Sequence, residues 1–317
     1  MLTATPVFLA GLVCLYFGAE WLVGGSSRLA LRLGISPLIV GLTVVAYGTS
    51  SPELMVCVNA AHSGHGAIAV GNVIGSNIFN IACVLGVSAL LFPISITRQI
   101  VKVDIPIMIG VSFGLLFILM DSHIGRLEGG LLFSGALLYT VMNILIARRQ
   151  REQENQESNK TLPVPVFSVK HLAKDSAFIL IGLVILMIGS KALVWSAIVF
   201  AHHFKVSETI IGLTIIAIGT GLPELAIAIL AAKRKANDIS TGNIVGSNIF
   251  NILCILGIVS MITPIDCSSI SVIDEWFMIA VSIVLLPFSI TRFTLNRWEG
   301  FVLLVLYGVY LIYLWPK

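Results

Sequence analysis

The sequence is internally duplicated, and each copy carries one glutamate inside an apolar stretch. Residues 41–54 read GLTVVAYGTSSPEL, and residues 212–225 read GLTIIAIGTGLPEL. An offset of 171 residues aligns the two segments and places Glu53 opposite Glu224. An ionisable side chain in hydrocarbon costs at least ~2.5 kcal/mol, so a duplicated one indicates a functional site.

A second duplicated motif follows the first at the same offset. Residues 71–81 read GNVIGSNIFNI, and residues 242–252 read GNIVGSNIFNI. Single glycine, proline, cysteine and glutamate positions also recur at this offset, from Gly11 to Glu128 in the first copy. Because no gap interrupts the match, the fold must be built from two equivalent halves.

Composition assigns the chain to the membrane proteins. Its mean hydropathy is +1.00, and 11% of its residues are charged, whereas soluble domains carry about 25%. The sequence has no basic patch with interleaved aromatic residues, so we expect no nucleic-acid partner. Its five cysteines form no CxxC pair, so neither a disulfide framework nor a zinc site is expected.

Ten apolar stretches are long enough to cross a bilayer, which takes about 20 residues. We therefore predict an all-α membrane protein with ten transmembrane helices. The predicted spans cover residues 5–27, 37–61, 67–92, 101–120, 127–147, 174–200, 208–232, 239–263, 270–290 and 298–315.

The span count predicts how the halves are arranged. Residues 1–147 and 174–317 hold five spans each, and the polar segment 148–173 joins them as a linker. An odd number makes the second half enter the membrane from the opposite side, which gives an inverted-topology repeat. Loops after odd-numbered spans hold 15 Lys and Arg residues, against 3 on the other side. The positive-inside rule then predicts a cytoplasmic linker and two outside termini.

The duplicated prolines predict two broken helices. Pro52 and Pro223 lack a backbone N–H, so the carbonyl groups of Gly48 and Gly219 lose their helical partners. In a bilayer such carbonyls must line a cavity or meet a ligand. A carboxylate, hydroxyls and free carbonyls at one break supply the hard oxygen ligands that cations prefer.

Helical spacing gathers polar residues around each glutamate. In the first half, four residues at i, i+3, i+4 and i+7 share one helix face. They are Ala46, Thr49, Ser50 and Glu53, with counterparts Ala217, Thr220, Gly221 and Glu224.

The second motif adds further oxygens on one helix face. The residues that share this face are Ser76 with Asn80, and Ser247 with Asn251. Asn72 and Asn243 lie on roughly the same side, whereas Asn77 and Asn248 lie on another and are expected to bond between helices. Alternatively, all these Ser and Asn side chains simply hold packed helices together. That alternative does not explain a carboxylate beside a proline-broken turn in duplicate.

Glu20 and Lys191 are also counterparts, one acidic and one basic, and both lie in predicted spans. Two antiparallel helices near the symmetry axis would bring them together as an ion pair. Snorkelling of each side chain to an interface is the other interpretation.

The paired GTSSPEL and GTGLPEL segments, each followed by GNxxGSNIFNI, resemble the two alpha-repeats of the sodium/calcium exchanger family within the cation/calcium antiporter superfamily. The bacterial inner-membrane calcium/sodium antiporters are the group that the sequence resembles most. The resemblance covers both halves. It implies a core of the second, third, seventh and eighth spans with ions near the bilayer midplane, across which the first and sixth spans slide.

The resemblance also implies a ligand set. The carboxylates of Glu53 and Glu224 would bind calcium together with the carbonyls of Thr49 and Thr220. Hydroxyl groups and two alanine carbonyls would complete the sodium sites. The full implied set is Ala46, Thr49, Ser50, Glu53, Ser76, Asn80, Ala217, Thr220, Glu224, Ser247 and Asn251.

Two positions depart from the family pattern. Gly221 stands where the first half has Ser50, and Asn251 stands where some exchangers carry an aspartate. Two carboxylates balance one Ca²⁺ or two Na⁺, so a third sodium ion and the usual electrogenic ratio come into question.

These patterns predict a transporter rather than an enzyme, because the sequence holds no catalytic grouping. We expect exchange of Ca²⁺ for Na⁺, with these cations as substrates, no covalent cofactor, and a monomer embedded in the plasma (inner) membrane. One alternative is a Ca²⁺/H⁺ antiporter, because burial favours the neutral form of a carboxyl group. A passive cation channel is another, which the duplicated broken helices do not favour.

Overall fold

The computed structural model describes residues 4–157, 169–203, 217–268 and 270–314. In these ranges, eight helices are long and apolar enough to cross a membrane, and one bent pair is a ninth candidate. Numbered in chain order, the helices are α1 (Ala4–Leu33), α2 (Pro37–Thr49), α3 (Ser51–His62), α4 (Gly66–Leu91), α5 (Ile100–Asp121), α6 (Arg126–Glu157), α7 (Val169–His203), α8 (Ala217–Thr220), α9 (Leu222–Lys233), α10 (Asn237–Ile262), α11 (Val272–Phe293) and α12 (Arg297–Leu314).

Nine of the predicted spans coincide with these elements. Eight are single helices, and the second predicted span is the bent pair α2 and α3, which meet at 42°. The seventh predicted span is only partly covered, since residues 208–216 lie outside the described residues and 217–233 form α8 and α9. Ten spans therefore remain a prediction.

Part of the predicted linker is helical. Helix α6 continues to Glu157, beyond the predicted span end at residue 147. The added turns are rich in Arg, Gln and Glu, which are good helix formers in water. Residues 158–168 lie outside the described residues, and α7 begins at Val169.

Helices α4 and α10 form the centre of the molecule. In their most apolar windows, 72% and 89% of the residues are buried, against 17–33% for the other single candidate spans. The outer helices instead expose large apolar side chains, such as Phe117 and Leu127. Such exposed apolar surface is what hydrocarbon tails cover in a membrane protein.

Contacts between the helices α1 and α7 recur with the two halves exchanged. Gly11 of α1 packs on Gly189 of α7, and Gly18 packs on Gly182. Shifting one pair by the 171-residue offset produces the other with the roles reversed. At Gly18 a Cβ atom would lie 2.8 Å from the Leu186 nitrogen and 2.9 Å from the Gly182 oxygen, so the two backbones touch. Small residues permit this close approach in membranes.

Two small sheets at the helix ends show the same exchange between the halves. The antiparallel strands are β1 (Ile94–Ser95), β2 (His123–Ile124), β3 (Ile265–Asp266) and β4 (Thr294–Leu295), with β1 paired to β4 and β2 to β3. Ile94 faces Leu295 and Ile124 faces Ile265, again a swapped pair at the sequence offset. These contacts between helices and between strands therefore recur with the two halves exchanged.

Candidate cation site

Both duplicated prolines begin a helix after a break. In the first half, α2 ends at Thr49, Ser50 has φ −82° and ψ 3°, and α3 begins at Ser51 with Pro52 in its first turn. In the second half, Gly221 has φ −88° and ψ 1° between α8 and α9. The predicted helix breaks are confirmed at both positions.

The two glutamates meet in the interior. Glu53 and Glu224 are 2% and 1% exposed, and their carboxylates are close enough to interact electrostatically. The side chain of Thr220 interacts with the carboxylate of Glu53, and that of Thr49 interacts with Glu224. Each half therefore contributes a threonine to the other half's glutamate.

Buried oxygens without hydrogen-bond partners occur on this pair, at the first helix break and on α10. Among the described residues, five buried oxygens of the predicted set accept and donate no hydrogen bond. A buried unsatisfied polar group costs about 1–3 kcal/mol, and oxygens of this kind are the ligands of Ca²⁺ and Na⁺. They are Oε2 of Glu53, Oε2 of Glu224, Oγ of Ser50, Oγ of Ser247 and Oδ1 of Asn251.

The chemistry of this cluster selects a hard cation. Within the described ranges, no group of three or more His, Cys, Asp or Glu side chains is placed to hold a metal. The site depends instead on two carboxylates with hydroxyl and amide oxygens. The predicted set holds neither the sulfur ligands that soft metals prefer nor the imidazole that suits transition metals, whereas Ca²⁺ takes oxygen ligands.

Four asparagines join α4 to α10. Asn77 Nδ2 donates to the Asn248 carbonyl at 3.1 Å, and Asn248 Nδ2 donates back to the Asn77 carbonyl at 3.4 Å. Asn80 Nδ2 donates to Asn248 Oδ1, and Asn251 Nδ2 to Asn77 Oδ1, each at 3.0 Å. The bonding of Asn77 and Asn248 between helices is as predicted. Asn80 and Asn251 donate N–H groups to the same network. Their amide oxygens are the atoms left to bind a cation.

The remaining members of the predicted set lie nearby in the chain. Ser76 and Ser247 come one turn before Asn80 and Asn251, and both are buried. Ala46 is fully buried, and Ala217 begins α8. Asn80 and Asn251 lie in the wide π-helical turns Phe79–Leu85 and Asn251–Leu256. Such turns often mark functional positions.

Sequence reasoning left Asn243 out of the ligand set. Thr49 Oγ1 donates to Asn243 Oδ1 at 3.2 Å, and Asn243 is fully buried beside the glutamates. Its counterpart Asn72 instead donates to Cys57 Sγ at 3.4 Å. The signal was the duplicated asparagine that opens each GN motif, but the two copies have different partners.

Sequence reasoning also missed Ser190. Its hydroxyl donates to the Gly219 carbonyl at 2.5 Å, one of the two carbonyls freed by the prolines. Its counterpart is Ala19, which carries no hydroxyl. The two freed carbonyls therefore cannot be held alike, and only the structure shows that α7 covers this break.

The missing hydroxyl at Gly221 has a steric cause. A Cβ atom there would lie 2.5 Å from Cδ1 of Phe79, so the ring fills the space of a side chain. In the other half, the counterpart Phe250 stacks on Tyr47 with ring centroids 4.3 Å apart, and Ser50 keeps its side chain. Tyr47 has no aromatic counterpart, since Ile218 stands there.

A cavity of about 590 Å³ leads to the site between α3, α7 and the break at α8. Its lining includes Gly219, Thr220 and Pro223 from the second break, and Asn59 and Lys191. The suggested ion pair between Glu20 and Lys191 does not form. Glu20 pairs with Arg234 instead, so the two counterparts face different surroundings.

Known proteins resemble the whole chain. The family model described as sodium/calcium exchanger protein matches residues 3–145 and 175–315. The putative antiporter CaxA of Alkalimonas amylolytica is 41% identical over 313 residues, which cover 96% of each chain. The sodium/calcium exchanger MaX1 of Methanosarcina acetivorans is 32% identical and covers 97% of each. A structure of the sodium-calcium exchanger NCX_Mj, soaked with 10 mM Na⁺ and zero Ca²⁺, superposes with a TM-score of 0.84 at 28% identity and covers 98% of each chain.

Proposed function

Because this chain belongs to the sodium/calcium exchanger family and is a multi-pass membrane antiporter, we propose that it exchanges Ca²⁺ for Na⁺ at a site between Glu53 and Glu224. The observation that carries the proposal is a set of five buried, unpartnered oxygens, one on each of the two carboxylates and three on neutral side chains. Two negative charges in a buried site attract cations strongly, because the surroundings screen them little.

Calcium uses the centre of this cluster. The two carboxylates balance its charge, and the threonines Thr49 and Thr220 hold each carboxylate in place. Sodium uses the surrounding oxygens of Ser50, Ser247 and Asn251. Both ions compete for the same two negative charges, and that competition couples their movements.

The proposal includes an inverted-topology repeat with its axis in the membrane plane. The swapped contacts of Gly11 with Gly189 and of Gly18 with Gly182 support it, as does the odd number of predicted spans per half. The bias of 15 basic residues against 3 supports a cytoplasmic segment 148–173 and two outside termini.

Alternating access requires part of the molecule to move against the ion site. Helices α1 and α7 are in backbone contact at their paired glycines and form one unit. Ser190 of α7 also bonds the Gly219 carbonyl at the second break. The cavity that contains Lys191 reaches the site from one end. At the other end, Glu20 of α1 is paired with Arg234, just after α9. Sliding of the α1–α7 unit would open the second end as the first closes.

Calcium uptake into everted membrane vesicles tests the function. Outward Na⁺, H⁺ and K⁺ gradients are imposed one at a time, and ⁴⁵Ca²⁺ uptake is measured. We expect uptake with the Na⁺ gradient alone. Uptake driven by the H⁺ gradient without sodium would identify the Ca²⁺/H⁺ antiporter instead. Calcium equilibration without any gradient would identify a channel.

A further inference from the structure

A second polar cavity lies away from the ion site. Its volume is about 490 Å³, and it opens between the ends of α1, α7 and α9. Its lining includes Trp21, Lys174 and Phe178. These helix ends belong to the side of the molecule with most of the Lys and Arg residues. We name it the basic pocket.

The basic pocket carries more positive than negative charge. Among the residues that line it, four carry a positive charge and two carry a negative charge, and His171 adds a titratable ring. The six charged residues are Arg28, Arg32, Lys174, Arg234, Glu20 and Asp175.

The arginines use only part of their donor capacity in ion pairs. Arg28 and Arg32 each bond Asp175 through Nε, and Arg234 bonds Glu20 through Nη2. A guanidinium group has five N–H donors, and these three side chains stay 45%, 35% and 40% exposed. Each therefore presents further N–H groups to the cavity.

Two guanidinium groups converge at Gly24. Nη1 of Arg28 and Nη1 of Arg234 would lie 3.2 Å and 3.7 Å from a Cβ atom built there. Two like charges repel each other, and an anion bound between them would attract both. The absence of a side chain at position 24 leaves the space for it.

Lys174 adds a positive charge without a carboxylate. In the described part of the chain its ammonium group makes no ion pair and lies 5.9 Å from the centroid of the Phe178 ring. Arg28 lies over the same ring at 5.1 Å, and Trp21 meets its edge at 5.8 Å. Aromatic rings at the end of an apolar span mark the headgroup level of a bilayer.

We propose that the basic pocket binds the phosphate group of an anionic phospholipid from the leaflet on this side. A phosphate accepts bidentate hydrogen bonds from arginine, and basic pockets between transmembrane helices bind such headgroups. The apolar flank of α1 and α7 then receives the acyl chains. A soluble phosphate shares the headgroup's chemistry, so the test separates the two sources.

The test measures lipid retention on the purified full-length chain. The protein is immobilised in dodecyl maltoside micelles and incubated with radiolabelled phosphatidylglycerol or phosphatidylcholine, and the retained lipid is counted after washing. We expect a clear excess of phosphatidylglycerol. Lys174→Gln breaks no ion pair and should weaken that retention roughly fivefold, the effect of one basic residue near an anionic surface.

The matched control is Arg149→Gln, which removes one exposed positive charge on the same side but outside the pocket. It should retain as much phosphatidylglycerol as the unmodified chain. Equal retention by Lys174→Gln and the unmodified chain, or an equal loss in Arg149→Gln, overturns the site. Displacement by inorganic phosphate as readily as by unlabelled phosphatidylglycerol would overturn the lipid as the occupant.

Discussion

At the scale of single residues, the site combines two carboxylates with neutral oxygens, and its energetics follow from that count. Glu53 and Glu224 are the only charged members of the predicted ligand set. Each is buried, and each keeps one unpartnered oxygen. Loss of either halves the negative charge that a cation meets.

We predict that Glu53→Gln and Glu224→Gln each abolish calcium exchange while the protein still inserts and folds. Removing one charge from a buried, charge-balanced site costs about 3 kcal/mol or more, which exceeds a hundredfold in affinity. ⁴⁵Ca²⁺ uptake in proteoliposomes measures the loss. Glu128→Gln is the control, because this duplicated glutamate caps the start of α6 by accepting from the Gly125 nitrogen. Normal uptake by either site variant would contradict direct ligation.

A second prediction concerns Gly221. Gly221→Ser should destabilise the protein by about 1–3 kcal/mol, because the new Cβ collides with the Phe79 ring. In a Phe79→Ala background the same change should cost less and should strengthen sodium binding, since a hydroxyl is restored. Detergent thermal unfolding and sodium-dependent uptake of the four proteins in this double-mutant cycle report both effects. Ser50→Gly is the matched control, which removes a hydroxyl without a collision. Additive costs in the cycle would argue against the steric explanation.

The candidate site contains features that the sequence predicts and others that it does not. The glutamates, prolines and flanking hydroxyls repeat, so their spacing predicted the helix breaks and the polar face around them. Ser190 and Asn243 were missed because their roles depend on which residue of another helix they meet. Their counterparts Ala19 and Asn72 behave differently, so duplication gave no guide. An ion pair between Glu20 and its counterpart Lys191 was one of two interpretations from the sequence, but the partner of Glu20 is Arg234.

At the scale of helices, close backbone contact joins α1 to α7. The α1–α7 interface contains the glycine pairs of Gly11 with Gly189 and Gly18 with Gly182. With little hydrophobic force between helices in a bilayer, tight van der Waals packing holds them together. Any added methyl group must push the helices apart.

We predict that Gly18→Ala separates α1 from α7 and lowers both stability and transport. Its Cβ would meet the Leu186 nitrogen at 2.8 Å, and overpacking of this kind costs about 1–3 kcal/mol. Gly114→Ala on α5 is the control, because its Cβ would meet no atom within 4 Å. It should be neutral or stabilising by up to about 1 kcal/mol. Thermal unfolding in detergent compares the two, and equal melting temperatures would show that the α1–α7 interface is not tight.

At the scale of the whole molecule, orientation follows from the asymmetry of basic residues. We predict that Asn155→Cys is modified only from the cytoplasm and Ser63→Cys only from outside. Each is placed in a cysteine-free background and treated in intact cells with a membrane-impermeant maleimide. Modification at position 63 and protection at 155 are expected. The reverse pattern would overturn the orientation, and modification at both positions would overturn the odd span count.

The charge balance of the whole exchange cycle gives a further prediction. With two carboxylates and no hydroxyl at Gly221, fewer than three sodium ions should move per calcium ion. Asn251 cannot simply be replaced by an acid, because its N–H group bonds Asn77 Oδ1 at 3.0 Å. Reversal potentials in proteoliposomes under clamped voltage report the ratio. A ratio of three sodium ions would show that a neutral Asn251 suffices.

The proposed inverted repeat would make this chain the equivalent of a homodimer joined into one polypeptide. In a true homodimer a residue on one side of the axis is also present on the other, so both faces of the membrane must be served by identical side chains. Fusion removes that restriction. Glu20 and Lys191, or Ser50 and Gly221, are differences between the two halves that a homodimer cannot encode. In the proposed orientation, such differences would make the two membrane faces of the transporter chemically distinct.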